Sequence, residues 1–86
     1  MSGKLIGEVN HFYNRIEVAV IDLSDSLQVG DHVHFFGRST DFRQVVQSMQ
    51  IEHQPISEAG KDQEIAMKVE RRVHNHDKVY KLTDDE

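Results

Sequence analysis

Histidine pairs are the residues of this sequence whose spacing most directly suggests chemistry. His32 and His34 are two positions apart, as are His74 and His76, so each pair would point to one side of an extended strand. Two such pairs could supply nitrogen ligands to a metal, or they could be solvent-exposed imidazoles. Because no cysteine or glutamate at ligand spacing completes either pair, we predict no metal site and no other cofactor.

Motifs for covalent catalysis and nucleotide binding are absent from the 86 residues. The chain contains no cysteine, so it has no thiol nucleophile, thiolate metal site or disulfide. Its serines, among them Ser24 and Ser26, lack the strand–turn–helix context of a nucleophile elbow. No Gly-x-x-x-x-Gly-Lys-Ser/Thr segment occurs, so we expect no phosphate-binding loop and no GTPase activity. We therefore predict a non-enzymatic protein.

Aromatic and cationic side chains meet in one predicted turn, which makes RNA a candidate ligand. Phe12 and Tyr13 could stack on bases while Arg15 contacts a phosphate, and two arginines beside another loop could extend this surface. The alternative is that Phe12 or Tyr13 packs over the mouth of a β-barrel and that Arg15 is an ordinary surface residue. The candidate RNA-binding residues are Phe12, Tyr13, Asn14, Arg15, Arg38 and Arg43.

Composition limits the classes of function that the chain can have. Fifteen acidic residues against ten Lys and Arg give a formal charge of -5. This charge argues against a protein that binds nucleic acid with its whole surface, but it permits a local basic patch. A chain of 86 residues forms one small domain, with little room for a deep catalytic cleft. Because the chain has no apolar run of about 18 residues and no apolar signal region, we expect a cytoplasmic protein with no membrane contact.

Short apolar segments separated by turn residues predict an all-β domain. Ile16 to Leu23 is the clearest strand, because it is rich in β-branched residues and apolar on both faces. Residues 41–53 are ambiguous: the apolar positions from Phe42 to Met49 follow helical spacing, yet some of them would share a strand face with Ile51. Strands at intervals of about ten residues suggest a small antiparallel barrel or sandwich.

The order of these segments resembles the second domain of translation GTPases of the elongation factor Tu type. It is still more similar to a family of short, free-standing elongation-factor-like proteins that consist of that barrel alone. The resemblance covers about Lys4 to Leu82 and includes a loop in which Gly30 can take positive φ and Asp31 can cap the turn. The matching segments include Ile6-Gly7-Glu8-Val9, Leu27-Gln28-Val29-Gly30-Asp31-His32-Val33, Ser48-Met49-Gln50-Ile51-Glu52 and Asp77-Lys78-Val79-Tyr80-Lys81.

Two turns depart from the pattern of that family. Asp62-Gln63 and His76-Asp77 stand where the family usually has Gly-Asp. Asp and His are among the non-glycine residues that tolerate positive φ better than most. We therefore expect both turns to be retained.

The resemblance implies both a fold and a function. It favours one long, bulged strand for residues 41–53, and with it a six-stranded antiparallel β-barrel over residues 4–82 with an acidic disordered tail over 83–86. It implies contact with tRNA, ribosomal RNA or a ribosomal protein, without nucleotide hydrolysis. The alternative is a protein–protein interaction module accessory to a larger enzyme, with outward apolar residues at Phe35-Phe36 and Val79-Tyr80. The predicted core is Val9, Ile16, Val18, Val20, Val33, Phe35, Val46, Ile51, Ile65, Met67 and Val79.

Overall fold

Alternation of β-branched and polar residues produces strands along nearly the whole chain. A computed structural model, which describes residues 2–83, contains ten strands within that range. Every pairing is antiparallel, so the predicted all-β antiparallel architecture is confirmed. The strands are β1 (Ser2–Tyr13), β2 (Val18–Leu23), β3 (Leu27–Gln28), β4 (His32–Phe36), β5 (Asp41–Val45), β6 (Met49–Ile51), β7 (Gln54–Ile56), β8 (Glu58–Ala59), β9 (Glu64–Lys68) and β10 (Lys78–Thr83).

Eight of the strands form one sheet, and two form a second, small sheet. The large sheet has the order β5-β4-β10-β1-β2-β9-β6-β7, while β3 pairs with β8. The prediction of six strands is therefore wrong, and no strand pairing within residues 2–83 closes the sheet into the predicted barrel. β1 is the longest strand and pairs with both β10 and β2, with irregularities at Leu5/Gly7 and Val9/His11 that allow it to bend.

Residues 41–56 contain three short strands rather than a helix or one bent strand. Val46 still contacts the turn before β4 after β5 ends: its N–H donates to the carbonyl of Asp31 (2.8 Å) and its carbonyl accepts the N–H of Gly30 (2.9 Å). β5 pairs with β4, whereas β6 pairs with β9 and β7 farther along the sheet. The preference for strand over helix is confirmed, and the single bulged strand is wrong.

A buried glutamine joins two distant parts of the large sheet. Nε2 of Gln44, on β5, donates to the carbonyl of Lys68 at the end of β9 (3.1 Å), and Oε1 of Gln44 accepts the N–H of Glu70 (2.8 Å). A carboxamide both donates and accepts, so it can replace a peptide group at this place. Four strands separate β5 from β9 in the sheet order, so the sheet must curl around its core for these contacts to form.

The core contains most of the predicted residues, but β2 presents the opposite face to it. Ala19 and Ile21 are fully buried, whereas Val18 and Val20 are half-buried on the outer face and Ile16 is 59% exposed before the strand begins. The core predictions for these last three residues are therefore wrong. The predicted residues that are buried are Val9, Val33, Phe35, Val46, Ile65, Met67 and Val79, and Ile51 is half-buried. The buried apolar residues that were not predicted are Ile6, Ala19, Ile21, Leu23, Leu27, Met49, Ala59, Val69 and Val73.

Asp22 explains which face of β2 is buried. Its side chain shares a face with Val18 and Val20, and burying that face would place an unpaired carboxylate in the core. The opposite face ends in Leu23, which is buried at no such cost. Glu17, with φ 57°, belongs to the turn before β2, so it does not continue the alternation of the strand.

Positive φ angles occur at several turns that were predicted from residue type. Gly30 has φ 99°, and Oδ2 of Asp31 accepts the N–H of Gln28 (2.9 Å), which is the predicted capping contact. Asp62 (φ 72°) and His76 (φ 75°) also take the left-handed conformation. The prediction that Asp and His can replace glycine in these turns is thus confirmed.

Both ends of the described chain lie in strands. Ser2 and Gly3 are in β1, and Thr83 is in β10. The remaining residues of the predicted acidic tail, 84–86, lie outside the described residues. Within residues 2–83, no helix has the length and apolar character needed to cross a membrane.

The face assignment of β2 predicts effects of very different size for substitutions of two isoleucines. Ile21→Ala removes a fully buried side chain and should lower the free energy of unfolding by about 3 kcal/mol. Ile16→Ala changes an exposed side chain and should lower it by less than about 0.5 kcal/mol. Urea denaturation of both variants measures the difference. Equal decreases in the free energy of unfolding would contradict the assignment of Ile21 to the buried face of β2 and of Ile16 to the surface.

Close packing at Gly37 makes a second stability prediction. A Cβ on Gly37 would overlap Oδ1 of Asp77, whose buried carboxylate is held by the backbone N–H of His74 (2.8 Å). Gly37→Ala should therefore destabilise the fold by about 3 kcal/mol, as overpacking does. Gly60→Ala is the matched control, because its nearest atom would be 3.8 Å away. Thermal unfolding of both variants tests this prediction. A melting temperature of Gly37→Ala equal to that of the unsubstituted protein would refute it.

Candidate functional site

A groove of about 750 Å³ crosses the outer face of the large sheet where β2, β9 and β6 lie side by side. Its floor is apolar: Val18 and Val20 of β2 are half-buried there, and Ala66 of β9 lies directly opposite Val20. The lining residues are Tyr13, Ile16, Val18, Val20, Gln50, Ile51, Glu52, His53, Gln63, Glu64, Ile65 and Ala66.

Two turns form the walls of this outer-face groove. On one side the turn between β1 and β2 carries Ile16, and the adjacent Tyr13 is 50% exposed. On the other side the β6–β7 hairpin reverses at Glu52 (φ 51°) and His53 (φ 66°), which also line the groove. An apolar floor between two such turns is suited to an elongated ligand.

Carboxylates supply the charge of the groove. Glu52 and Glu64 line it, and its lining includes neither Lys nor Arg. Glu64 pairs directly with Asp22 on β2, and Asp22 pairs directly with Glu8 on β1, so three carboxylates form a row across neighbouring strands. Like charges in directly opposite positions are unfavourable, so this row costs stability.

The two ends of the carboxylate row differ in their compensation. Hydrogen bonds from His76 (2.9 Å) and Lys78 (3.1 Å) lower the pKa of Glu8. Partial desolvation raises the pKa of Asp22, as do the charge of Glu64, a side-chain hydrogen bond with Glu64 and, last, the charge of Glu8. Negative charge is therefore balanced by cations at the Glu8 end but not at the groove end.

The lining of the groove contains no Ser, Thr, Cys or Lys, the commonest nucleophiles of covalent catalysis. A hydroxyl–imidazole contact does occur elsewhere, where Oγ1 of Thr40 lies 3.0 Å from Nδ1 of His74. Oδ2 of Asp77 lies 3.8 Å from that same nitrogen, whereas a hydrolytic triad places the hydroxyl and the carboxylate on opposite ring nitrogens. The Thr40 residue is also buried, so this cluster connects β5 to the segment before β10 rather than performing catalysis.

The histidines of the two predicted pairs contact different partners. Nε2 of His34 lies 2.6 Å from Oδ1 of Asp41, while His74 and His76 contact Thr40 and Glu8 respectively. His32 is exposed on β4. Within residues 2–83, no group of three or more His, Cys, Asp and Glu side chains could hold a metal ion.

Of the six residues predicted to bind RNA, the groove lining includes Tyr13 alone. Phe12 is half-buried and packs against the core. Asn14 and Arg15 are exposed in the turn between β1 and β2. Arg38 lies in the turn between β4 and β5 and Arg43 on β5, and both β4 and β10 separate β5 from β1 in the sheet.

Two residues predicted to face outward do so in a different part of the sheet. Phe36 is 48% exposed on β4, and Tyr80 is half-buried on the outer side of β10. Both rings lie near that of His34, with centroid separations of 5.8 Å and 6.4 Å. The prediction of one outward apolar residue in each of these pairs is confirmed.

The groove itself was not predicted, because its floor had been assigned to the core. Continuing the alternation of β2 as far as Asp22 would have placed Val18 and Val20 on the outer face. No comparable signal exists for Gln50 and the hairpin that follows, because only tertiary pairing brings β6 beside β9.

The unfavourable carboxylate row predicts a stabilising substitution. The folded protein holds the Asp22 proton more tightly than the unfolded chain does, so the contribution of Asp22 to stability falls as the pH rises through its raised pKa. Asp22→Asn should therefore stabilise the fold at pH 7.5 by about 0.5 kcal/mol, the scale of a directly opposite charge pair. The gain should shrink towards pH 4. Urea denaturation at both pH values tests this, and a loss of stability at pH 7.5 would contradict it.

Comparisons with known proteins relate this chain to proteins named as proteases. A protein of Methanocaldococcus jannaschii named as an uncharacterized protease is 37% identical over 78 residues, which are 90% of this chain but only 19% of that protein. The C-terminal domain of a putative U32 peptidase from Geobacillus thermoleovorans has a similar fold, with a TM-score of 0.87 and 23% identity over 93% of both chains. Its selenomethionine variant gives a TM-score of 0.85 at 23% identity, over 88% of this chain and 96% of that one. No protein-family profile matches the chain.

These relatives overturn the resemblance to translation factors. They are a named protease and a domain of a putative U32 peptidase, so the predicted kinship with elongation factors is wrong, and the RNA-binding function that it implied is wrong with it. Turns such as Leu-x-Val-Gly-Asp misled the prediction because many β-domains enter a strand in this way. The relatives agree better with the alternative, a protein-interaction module accessory to a larger enzyme.

Proposed function

We propose that this chain is a non-catalytic, polypeptide-binding domain that serves a larger protease, and that the outer-face groove is its binding surface. The observation that carries this proposal is the apolar surface that the groove leaves exposed to solvent. Val18 and Val20 are only half-buried, and Tyr13 and Ile16 are exposed beside them. Covering a concave apolar surface of this kind with a ligand is favourable, and grooves of this size are common binding sites.

The relatives support the link to a protease. The chain spans only 19% of the M. jannaschii protein, so most of that protein has no counterpart in these 86 residues. The similar structure from G. thermoleovorans is likewise a C-terminal domain rather than a whole peptidase. A domain of this size that accompanies a protease, and whose groove lacks the commonest nucleophiles, is suited to hold a polypeptide while another part of the enzyme cleaves it.

The groove fits an extended segment better than a folded surface. Its floor consists of three neighbouring strands, and side chains of an extended ligand that point to one face recur at about 7 Å, close to the spacing of alternate residues on a strand. The turn that carries Ile16 and the hairpin tip at Glu52 would clash with a flat partner but can flank a single chain. We therefore assign an unfolded or extended stretch of polypeptide to this site.

The binding surface can be tested with one protein in two conformational states. Reduced and carbamidomethylated lysozyme, which is unfolded, should bind the 15N-labelled chain and shift the amide signals of Val18, Val20 and Ala66. Native lysozyme has a similar charge and should produce much smaller shifts. Val20→Ser removes part of the apolar floor and should weaken binding by about fivefold, the value of one or two lost apolar groups.

The control substitution is Val45→Ser, because Val45 is also exposed but lies on β5, outside the groove. It should leave the affinity unchanged. Equal binding of native and unfolded lysozyme, or equal effects of the two substitutions, would refute the groove as a polypeptide site. Cleavage of unfolded lysozyme by the purified chain would refute the non-catalytic role.

A further inference from the structure

The charges around the groove indicate which polypeptides it would select. Among its lining residues, Glu52 on one wall and Glu64 on β9 are acidic, and none is a Lys or Arg. Asp22 lies directly opposite Glu64 and adds a third carboxylate at the same end. A ligand that lies on the apolar floor therefore meets negative charge at the end of the groove that Glu52 and Glu64 line.

These carboxylates lack the cations that accompany others on this surface. Glu8 has Lys78 and His76, and Asp25 has Lys4 at 2.6 Å. By contrast, neither Asp22 nor Glu64 forms an ion pair within residues 2–83. Glu64 accepts a hydrogen bond from the neutral amide of Asn10 (2.6 Å), and its carboxyl is also within hydrogen-bonding reach of Asp22. An external cation placed between Asp22 and Glu64 would relieve their mutual repulsion.

We propose that the groove selects extended polypeptide segments in which Lys or Arg lies next to apolar residues, with the cation bound by Glu64 and Asp22. This inference rests on the proposed function and names its substrate class. The apolar side chains would cover Val20 and Ala66, and the flexible stem of Lys or Arg can lie along the same apolar floor while its charge reaches the carboxylates. An acidic segment would meet repulsion at the same place, so the groove discriminates by charge as well as by hydrophobicity.

Three matched peptides test this selection. They share the sequence Gly-Leu-Val-X-Gly-Leu-Val-X-Gly, acetylated and amidated, with X as Lys, Gln or Glu. Isothermal titration of the full chain in low salt should show that the Lys peptide binds about tenfold more tightly than the Gln peptide, with the Glu peptide weakest. The preference for Lys should decline in 300 mM NaCl, because exposed charges are screened.

Charge-matched variants locate the source of the preference. Glu64→Gln should reduce the Lys-over-Gln ratio to about twofold, and Asp22→Asn should reduce it in the same direction. Glu58→Gln changes the net charge equally but lies on β8, outside the groove, so it should leave the ratio unchanged. An equal effect of Glu58→Gln and Glu64→Gln would show that only net charge matters and would overturn the proposal.

The remaining outcomes separate this inference from the proposed function. If all three peptides bind equally and Val20→Ser weakens all of them, charge selection is wrong while the polypeptide site stands. If no peptide binds and the chain forms a dimer that Val20→Ser dissociates, a second copy occupies the groove and both proposals fail. Tight binding of the Lys peptide that is lost in Glu64→Gln and retained in Glu58→Gln supports both.

Discussion

The alternation of side chains along β2 is the constraint on which the rest of the structure depends. This strand is apolar on both faces, yet only one face can enter the core, and Asp22 excludes the face that it shares with Val18 and Val20. Ala19 and Ile21 therefore pack inside, and two valines are left outside in the middle of the large sheet. The apolar floor of the groove follows directly from this choice, since β2 lies between β1 and β9.

The curl of the sheet depends on polar contacts as much as on apolar burial. The side chain of Gln44, on β5, forms hydrogen bonds with the backbone of Lys68 and Glu70 at the end of β9. These bonds bring together two strands that are not neighbours in the sheet. Near the start of β10, the buried carboxylate of Asp77 fits against Gly37 and accepts the backbone N–H of His74. Within residues 2–83, no buried side-chain nitrogen or oxygen atom lacks a hydrogen-bond partner. Such satisfied polar contacts specify one arrangement of short strands where the apolar residues alone would permit several.

The candidate site combines two features that a purely structural surface would avoid. Exposed side chains of Tyr13 and Ile16 flank the floor, and two carboxylates without a cationic partner within residues 2–83, Asp22 and Glu64, lie directly opposite each other. Each feature lowers the stability or solubility of the free domain, and a cationic, apolar polypeptide would compensate for both at once.

Local chemistry was sufficient to predict the strand class of the domain, several of its turns and most of its core. Gly30, Asp62 and His76 are residue types that tolerate the positive φ that their turns require. Val33 is buried on β4 between the polar residues His32 and His34. The three-dimensional structure was required for the division of residues 41–56 into separate strands and for the position of β9 between β2 and β6. These features depend on contacts between residues far apart in the chain, such as Val46 with Asp31 and Gln44 with Lys68, and no local pattern specifies which distant partner a strand will find.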